Sequence, residues 1–558
     1  MQTSRLQHLW PDKVASKPLV KPVLIALAAL FLFCLPLNQT PLEFSGVQHP
    51  ATALTLLLTV TLICLGGWEA ARQRRFRYTT VTVWLAIAAL FALLPSFYLH
   101  ADLHTAIWQG CNVLLALLLF CTLQQFSFNH MQRQDLLLLP LLSGWLLALP
   151  VLLPTLTDTY ASYLSGITVH GEALSIALLT ALSLSAYLLA RTKVYKRNWV
   201  PLHAVLLLTP VLTIPALAAL RSPWLIAAML VVTILIQPFL FRFCQKRHHG
   251  LWNLAVLAGF ILAWHFNWLP QAALSAARYS EHEQAVLAQT WALLTQSQFE
   301  GVGLGQLIKA QLLFGLEQQQ GLSPIVPYPS WLLANLTQGG IAYWAGFGVL
   351  LSLVTRRLME APGGTRLMLL AILLPSLLGM ALTAYMEINP AFGVLFVILV
   401  YWLDNLSAHY RRIPLRHTRG IKLAANGVLA VTAFIVLSSI YLGEQALSTY
   451  QIKDIKLVQY QTHPWWRDYF SQEAGMRAFH DALESRDKRA QEHYLRAQIY
   501  RLGTHPNPEG YQSLIELAML TGHGSIAKQL KEEAALLFPA REFKLDFTKM
   551  QPSRTGVH

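Results

Sequence analysis

Residues 222–241 read SPWLIAAMLVVTILIQPFLF, twenty residues without a charge, preceded by Arg221 and followed by Arg242, Lys246 and Arg247. In helical form, twenty residues extend about 30 Å, the thickness of a bilayer's hydrocarbon core. The stretch therefore reads as a transmembrane helix stopped by cations at one end. Working outward, the same pattern recurs thirteen times, near 19–36, 51–68, 79–98, 105–125, 136–154, 172–190, 199–219, 222–241, 251–269, 331–355, 367–386, 390–403 and 423–442. Composition agrees: 54% of the 558 residues are hydrophobic and 13% are charged, against roughly 25% charged in soluble domains. A soluble globular protein, a disordered chain and a disulfide-rich secreted module are all excluded. The expected fold is all-α, a polytopic membrane protein with thirteen spans.

The connecting segments set the expected orientation. One alternate set, 1–21, 69–78, 126–135, 191–198, 242–250, 356–366 and 404–422, carries 24 Lys and Arg, while the opposite set carries Arg221, Arg278 and Lys309 before the last span. The positive-inside rule places the basic set and the N-terminus in the cytoplasm and the C-terminus outside. The formal charge of +14 is then explained by basic loops against an anionic membrane face, and nucleic acid is not an expected partner. The first span lacks a small-residue cleavage site and is expected to stay in the chain. His248, His249 and Lys246 read as cytoplasmic positive-inside residues. The cysteines, Cys34, Cys64, Cys111, Cys121 and Cys244, form no CxxC or Cys/His cluster, so no metal is expected.

Two polar segments remain outside: a loop from about 270 to 330 and a tail, 443–558, following the 1–442 membrane domain. The tail's expected helices are Ala474–Leu483, Arg489–Arg501, Pro508–Thr521 and Ser525–Leu537, with turns at Gly503-Thr504-His505-Pro506 and Gly522-His523-Gly524. Tyr511, Leu514, Leu517 and Ala518 recur at helical spacing. Residues 505–539 have the length and two-helix layout of one tetratricopeptide-like unit, though most of that consensus is missing. Such a module either caps the membrane domain or docks a partner.

The loop contains Phe299-Glu300-Gly301-Val302-Gly303-Leu304-Gly305, then Pro327-Tyr328-Pro329-Ser330 leading into Asn335-Leu336-Thr337-Gln338-Gly339-Gly340. Gly301, Gly303 and Gly305 let the backbone approach a ligand or a helix closely, or simply make a tight turn. No strand precedes them, so this is not a dinucleotide fingerprint.

With these residues in view, the chain over roughly 200–540 resembles the bacterial O-antigen ligase and polymerase superfamily. The shared parts are many spans, a late outside loop with a G-V-G-L-G turn and an outside arginine in an earlier short turn, matched by Arg221. Trp465-Trp466, the His505-Pro506…Tyr511 spacing and Phe538-Pro539 look like the branch of protein O-oligosaccharyltransferases that glycosylate pilins. The resemblance implies an inner-membrane glycosyltransferase. It would move a glycan from an undecaprenyl-diphosphate donor to a Ser or Thr of a periplasmic, pilin-like acceptor, with no cofactor. Ligase and polymerase branches use a lipid A-core sugar or another lipid-linked glycan as acceptor. A non-catalytic scaffold that binds pilin or glycolipid is a further reading. A secondary transporter fits poorly, because mid-span charges are nearly absent.

Arg221, Arg278 and Lys309 are the candidate ligands of the donor diphosphate, since cations, arginine above all, suit phosphate oxygens. The family's histidine and the asparagine after it fall on Pro329 and Ser330, and its acidic residue before the glycine falls on Gln338. The base must then come from elsewhere. Glu387, His282 and Glu283 are candidate proton acceptors, and Tyr328, stiffened by its flanking prolines, is a candidate for orienting the acceptor. Each also has a plainer reading as a solvated loop residue or interfacial aromatic.

Overall fold

The computed structural model describes residues 19–37, 48–156, 161–190, 200–220, 223–270, 288–317, 330–382, 390–407, 409–447, 459–467, 469–470, 474, 477, 488–504, 508–538 and 541–543. The elements in chain order are α1 (Val20–Ala29, continued by a π-helical turn Leu30–Cys34 and by Leu35–Leu37), α2 (Pro50–Gln73), β1 (Arg75–Tyr78), α3 (Thr80–Leu93), α4 (Leu103–Leu123), α5 (His130–Leu156), α6 (Ala161–Ala190) and α7 (Val200–Ala219). They continue with α8 (Pro223–Phe243), α9 (Lys246–His265), α10 (Leu307–Glu317), α11 (Trp331–Glu360), α12 (Arg366–Leu382), α13 (Pro390–Ser407), β2 (Arg411–Pro414), α14 (Thr418–Leu447), α15 (Lys488–Thr504), α16 (Pro508–Leu520) and α17 (Gly524–Leu537).

Helix therefore covers each of the thirteen apolar stretches in whole or in large part, and the short twelfth stretch extends to Ser407. Among the described residues, eight helices are long and apolar enough to cross a membrane, and three shorter ones, at Val20–Cys34, Leu174–Ala190 and Arg366–Leu382, are apolar.

Local chemistry starts these helices where the sequence supplies it. His49 Nδ1 accepts from the Ala51 N–H at 3.2 Å with Pro50 at the first position of α2. Asp102 caps α4 through the Thr105 N–H at 2.9 Å, and Ser330 caps α11 through the Leu333 N–H at 3.1 Å. Each satisfies an orphan donor of a first turn. Inside the helices, Thr55, Thr59, Thr209 and Thr213 donate back to the carbonyl four residues earlier, which hides the hydroxyl from lipid.

Helices α2, α3, α4, α11, α13 and α14 pack around one another, and α5 to α9 pack with α12 beside them. Glycine permits the closest crossings: a Cβ on Gly144 would strike Ala181 of α6, and one on Gly259 would lie 2.7 Å from the Pro210 carbonyl oxygen of α7. This is the small-residue packing of helices that have no water to expel.

Two elements depart from the all-α expectation. β1 and β2 pair antiparallel with Phe76 opposite Ile413 and Arg77 opposite Arg412. The ribbon joins the ends of α2 and α13, and such non-local pairing has no local signal. The glycine turn lies at the opposite end, against the α3–α4 corner. We call these the ribbon end and the loop-bearing end.

In the tail, Tyr511, Leu514 and Ala518 are buried as the helical spacing predicts, and α16 packs on α17. Of the turn expected at Gly503-Thr504-His505-Pro506, Gly503 and Thr504 are the last two residues of α15, while His505 and Pro506 lie outside the described residues. The expected helix Ala474–Leu483 lies outside the described residues apart from Ala474 and Arg477. The loop contributes too: Leu312 and Leu316 of α10 join Leu495, Leu502, Tyr511 and Leu530 in one hydrophobic cluster. A second contact holds the tail to the bundle. Trp466 is fully buried and donates from Nε1 to Ser439 Oγ of α14 at 2.8 Å. Gln48 donates to the Trp465 carbonyl oxygen at 2.9 Å, and Trp108 meets Trp465 edge to face. An amphipathic indole suits such a boundary between apolar bundle and water.

Candidate functional site

The three predicted glycines have left-handed backbone, with φ of 93°, 95° and 76° at Gly301, Gly303 and Gly305, and Gln298 and Phe299 before them are also at positive φ. The turn grips a break in α11, where Gly340 has φ 55° and ψ −144°. Val302 N–H donates to Thr337 O at 3.0 Å, Gly303 N–H to Gln338 O at 3.0 Å, and Ile341 N–H to Phe299 O at 2.9 Å. Groups freed by the break are thus paired by the loop, as a polar backbone inside a bundle requires. On its other side, the turn rests on His100, Asp102 and Thr105, and Asp102 N–H donates to Leu304 O at 2.9 Å. The close approach read from the glycines is to helix backbone. The turn is a clamp between α11 and the α3–α4 corner.

Gln338 takes part as an amide. Its Oε1 accepts from Gly305 N–H at 2.7 Å while its Nε2 donates to Ala334 O at 3.3 Å. An ionised carboxylate cannot make the second bond, which is a local reason for glutamine at this position. Ser330, besides capping α11, donates to Ala381 O at 2.5 Å and ties α11 to α12.

Beneath the clamp lies an apolar cavity of about 340 Å³. Ala92, Gln109, Trp331 and Pro390 line it near the helix ends of the loop-bearing side, and Leu85, Phe120, Leu350 and Val400 line it deeper in the bundle. Gln109 Nε2 donates to Asn335 Oδ1, and Asn335 Nδ2 donates to Trp331 O at 2.8 Å. Gln109 Oε1 is buried with no hydrogen-bond partner among the described residues. A buried acceptor without a donor costs about 1–3 kcal/mol, and Gln109 is one of the polar residues in an otherwise apolar lining.

The clamp also carries titratable groups. Glu300 is exposed beside Gly340. Tyr98 lies near it, close enough to feel the Glu300 charge. His100 is exposed on the same corner. Neither Tyr98 nor His100 stood out in the sequence, and Glu300 read as part of a turn motif. Their convergence depends on pairing the 98–105 corner with the loop, and no spacing encodes that.

Of the predicted site residues, the structure brings Gly301, Gly303 and Gly305 together at the clamp. Lys309 is exposed on α10, the helix that packs on the tail. Arg221, Arg278, His282, Glu283, Tyr328 and Glu387 lie outside the described residues. Among the described residues, no three His, Cys, Asp or Glu side chains form a group suited to a metal. Compared with known proteins, the chain matches no family model and no curated protein.

Proposed function

We propose that the chain is an inner-membrane glycosyltransferase of the oligosaccharyl-transferring kind, with its loop-bearing end in the periplasm. It would move a glycan from an undecaprenyl-diphosphate donor to a Ser or Thr hydroxyl of a pilin-like acceptor. The observation that carries this reading is the apolar cavity under the loop clamp with an unpartnered amide oxygen at Gln109. Its volume of about 340 Å³ is at the small end of the roughly 300–1,000 Å³ of ligand pockets. On this reading, it takes the first isoprene units of the donor, and the rest of the chain stays in lipid.

The chemistry follows. The acceptor oxygen attacks the anomeric carbon, the bond from that carbon to the diphosphate oxygen breaks, and the diphosphate leaves with the electron pair. The acceptor's proton goes to a carboxylate or an imidazole, and Glu300, at the clamp, joins Glu387, Glu283 and His282 as a candidate. Tyr98 and Tyr328 are donors that hold hydroxyls. Arg221, Arg278 and Lys309 are the cations available for the diphosphate. The thirteen-span topology, the cytoplasmic N-terminus and a tail that docks the acceptor belong to the same proposal.

The test is co-expression with a lipid-linked glycan pathway and a pilin acceptor, reading the acceptor's mass. Glu300→Gln should lower transfer by about 10²–10⁴-fold, the usual loss of a general base. Full modification by Glu300→Gln returns the role to Glu387, Glu283 or His282. No modification of any acceptor, with the tail still binding pilin, favours the scaffold reading.

A further inference from the structure

Among the described residues, the ribbon end concentrates cations that form no ion pair with a carboxylate. In the antiparallel register, Arg77 stands directly opposite Arg412 and Tyr78 opposite Arg411. Directly opposed side chains have Cβ atoms roughly 4.5–5.5 Å apart, so like charges there repel. Arg74, Arg75, Arg411, Arg412, Arg416, Arg419 and Lys422 are exposed, whereas Arg77 is half-buried. Arg77 Nε is buried without a hydrogen-bond partner among the described residues.

Three acids at this end are used by other arginines. Glu69 pairs with Arg72 at 2.6 Å, Asp404 with Arg357 at 3.0 Å, and Glu360 with Arg356 and Arg357 at 2.9 and 2.5 Å. The ribbon is nevertheless held firmly in place. Gln125 Oε1 accepts from Arg77 N–H and its Nε2 donates to Arg77 O, both at 2.9 Å. A fixed ribbon that opposes two arginines carries a built-in electrostatic cost unless an anion sits between them.

The surface beside the cations is apolar. Helix α14 begins just past the ribbon, and four residues beyond Arg419 it presents Leu423, 75% exposed. Val431, Phe434 and Leu437 continue that exposed face along the helix. A soluble anion has no use for such a face, whereas a lipid matches both parts.

We infer that the Arg77–Arg412 ribbon and the first turn of α14 form a binding site for an acidic phospholipid. Its phosphate lies between the opposed arginines and its acyl chains lie along α14. The site belongs to the leaflet at the ribbon end and does not depend on the transfer activity.

The full-length protein in nanodiscs of phosphatidylcholine alone, or with phosphatidylglycerol added, supplies the test. Phosphatidylglycerol should raise the thermal midpoint of the wild type and appear as retained lipid in native mass spectra. Arg412→Gln should lower that retention about fivefold, the weight of one cation near an anionic surface. In phosphatidylcholine alone, Arg412→Gln should raise the midpoint, because it removes a like-charge pair. That reversal of sign separates lost binding from poor folding. Arg356→Gln, which alters a paired cation of α11, should leave retention unchanged. Equal retention by wild type and Arg412→Gln overturns the inference. So does inorganic phosphate at millimolar concentration giving the same stabilisation in phosphatidylcholine, because the ligand is then a free anion and α14 plays no part.

Discussion

The backbone N–H of Ile341 donates to the carbonyl oxygen of Phe299 at 2.9 Å. One residue belongs to a helix inside the bundle and the other to a loop outside it. This bond lets α11 break at Gly340 without leaving a bare donor in an apolar setting, where an unsatisfied group costs several kcal/mol. The break and the loop clamp are therefore one device.

Replacing Gly340 should undo it. A Cβ there would collide with the Glu300 and Phe299 carbonyls, and its φ of 55° disfavours any L side chain. Gly340→Ala should cost at least about 1–3 kcal/mol from backbone strain alone, read as a fall in thermal midpoint in detergent. At Gly348 in the same helix, an added methyl would meet nothing within 4 Å, and φ is ordinary, so Gly348→Ala should be neutral or stabilising.

At the ribbon end, Asp404 of α13 is 1% exposed and accepts from Thr79 Oγ1 at 2.9 Å and Gln124 Nε2 at 3.3 Å. Arg357 Nη2 lies 3.0 Å from its other oxygen, which makes no aligned hydrogen bond, so that contact is an ion pair. Arg357→Ala should destabilise by about 3–5 kcal/mol, because it strands a buried carboxylate. The double variant with Asp404→Leu should cost less than the sum of the two single changes. Chemical unfolding of the four proteins checks both statements.

The tail's hold on the bundle should weaken in acid. His463 accepts from Trp465 N–H at Nδ1, 3.3 Å away, and faces Ser438 Oγ and Ile435 O from Nε2 at 3.1 and 3.3 Å. That pattern fits the neutral ring with its proton on Nε2. Burial, the largest cause, lowers its affinity for a second proton below the ordinary value of 6.5, although the Ile435 carbonyl works the other way. A basic group with a depressed folded value gives stability that is complete above about pH 6.5 and lost as pH falls through the folded value. Protease cleavage between α14 and α15 should accelerate below pH 6 in the wild type. In His463→Gln, which has no ring to titrate, it should not change with pH.

Coupling between loop and tail rests on Leu312, 7% exposed in the cluster with Tyr511 and Leu530. Leu312→Ala should cost about 2–5 kcal/mol at that contact. Hydrogen exchange should then speed up in α16 and α17 while α2 and α3 keep their protection. Equal loss of protection in both regions would mean the tail and bundle unfold as one unit.

The helices were legible because what makes them is local. An apolar run such as 222–241 specifies a helix wherever no water can satisfy its backbone, and Asp102, Ser330 and Thr79 mark starts by bonding within three residues. The burial of Tyr511, Leu514 and Ala518 followed from helical spacing alone. At Gly503 the boundary is less sharp, because a glycine permits a turn without fixing where the helix ends, and α15 closes at Thr504. What the three loop glycines touch was decided only in three dimensions, as were the contacts of Trp466 with Ser439 and of Thr79 with Asp404, 325 residues away. The opposition of Arg77 and Arg412 is likewise a matter of register. Such pairings depend on which helix ends the packed bundle brings together, and side-chain volumes across the whole chain set that. The candidate site lies almost wholly in this second category, because a loop clamped onto a distant helix leaves no periodic trace in its own residues.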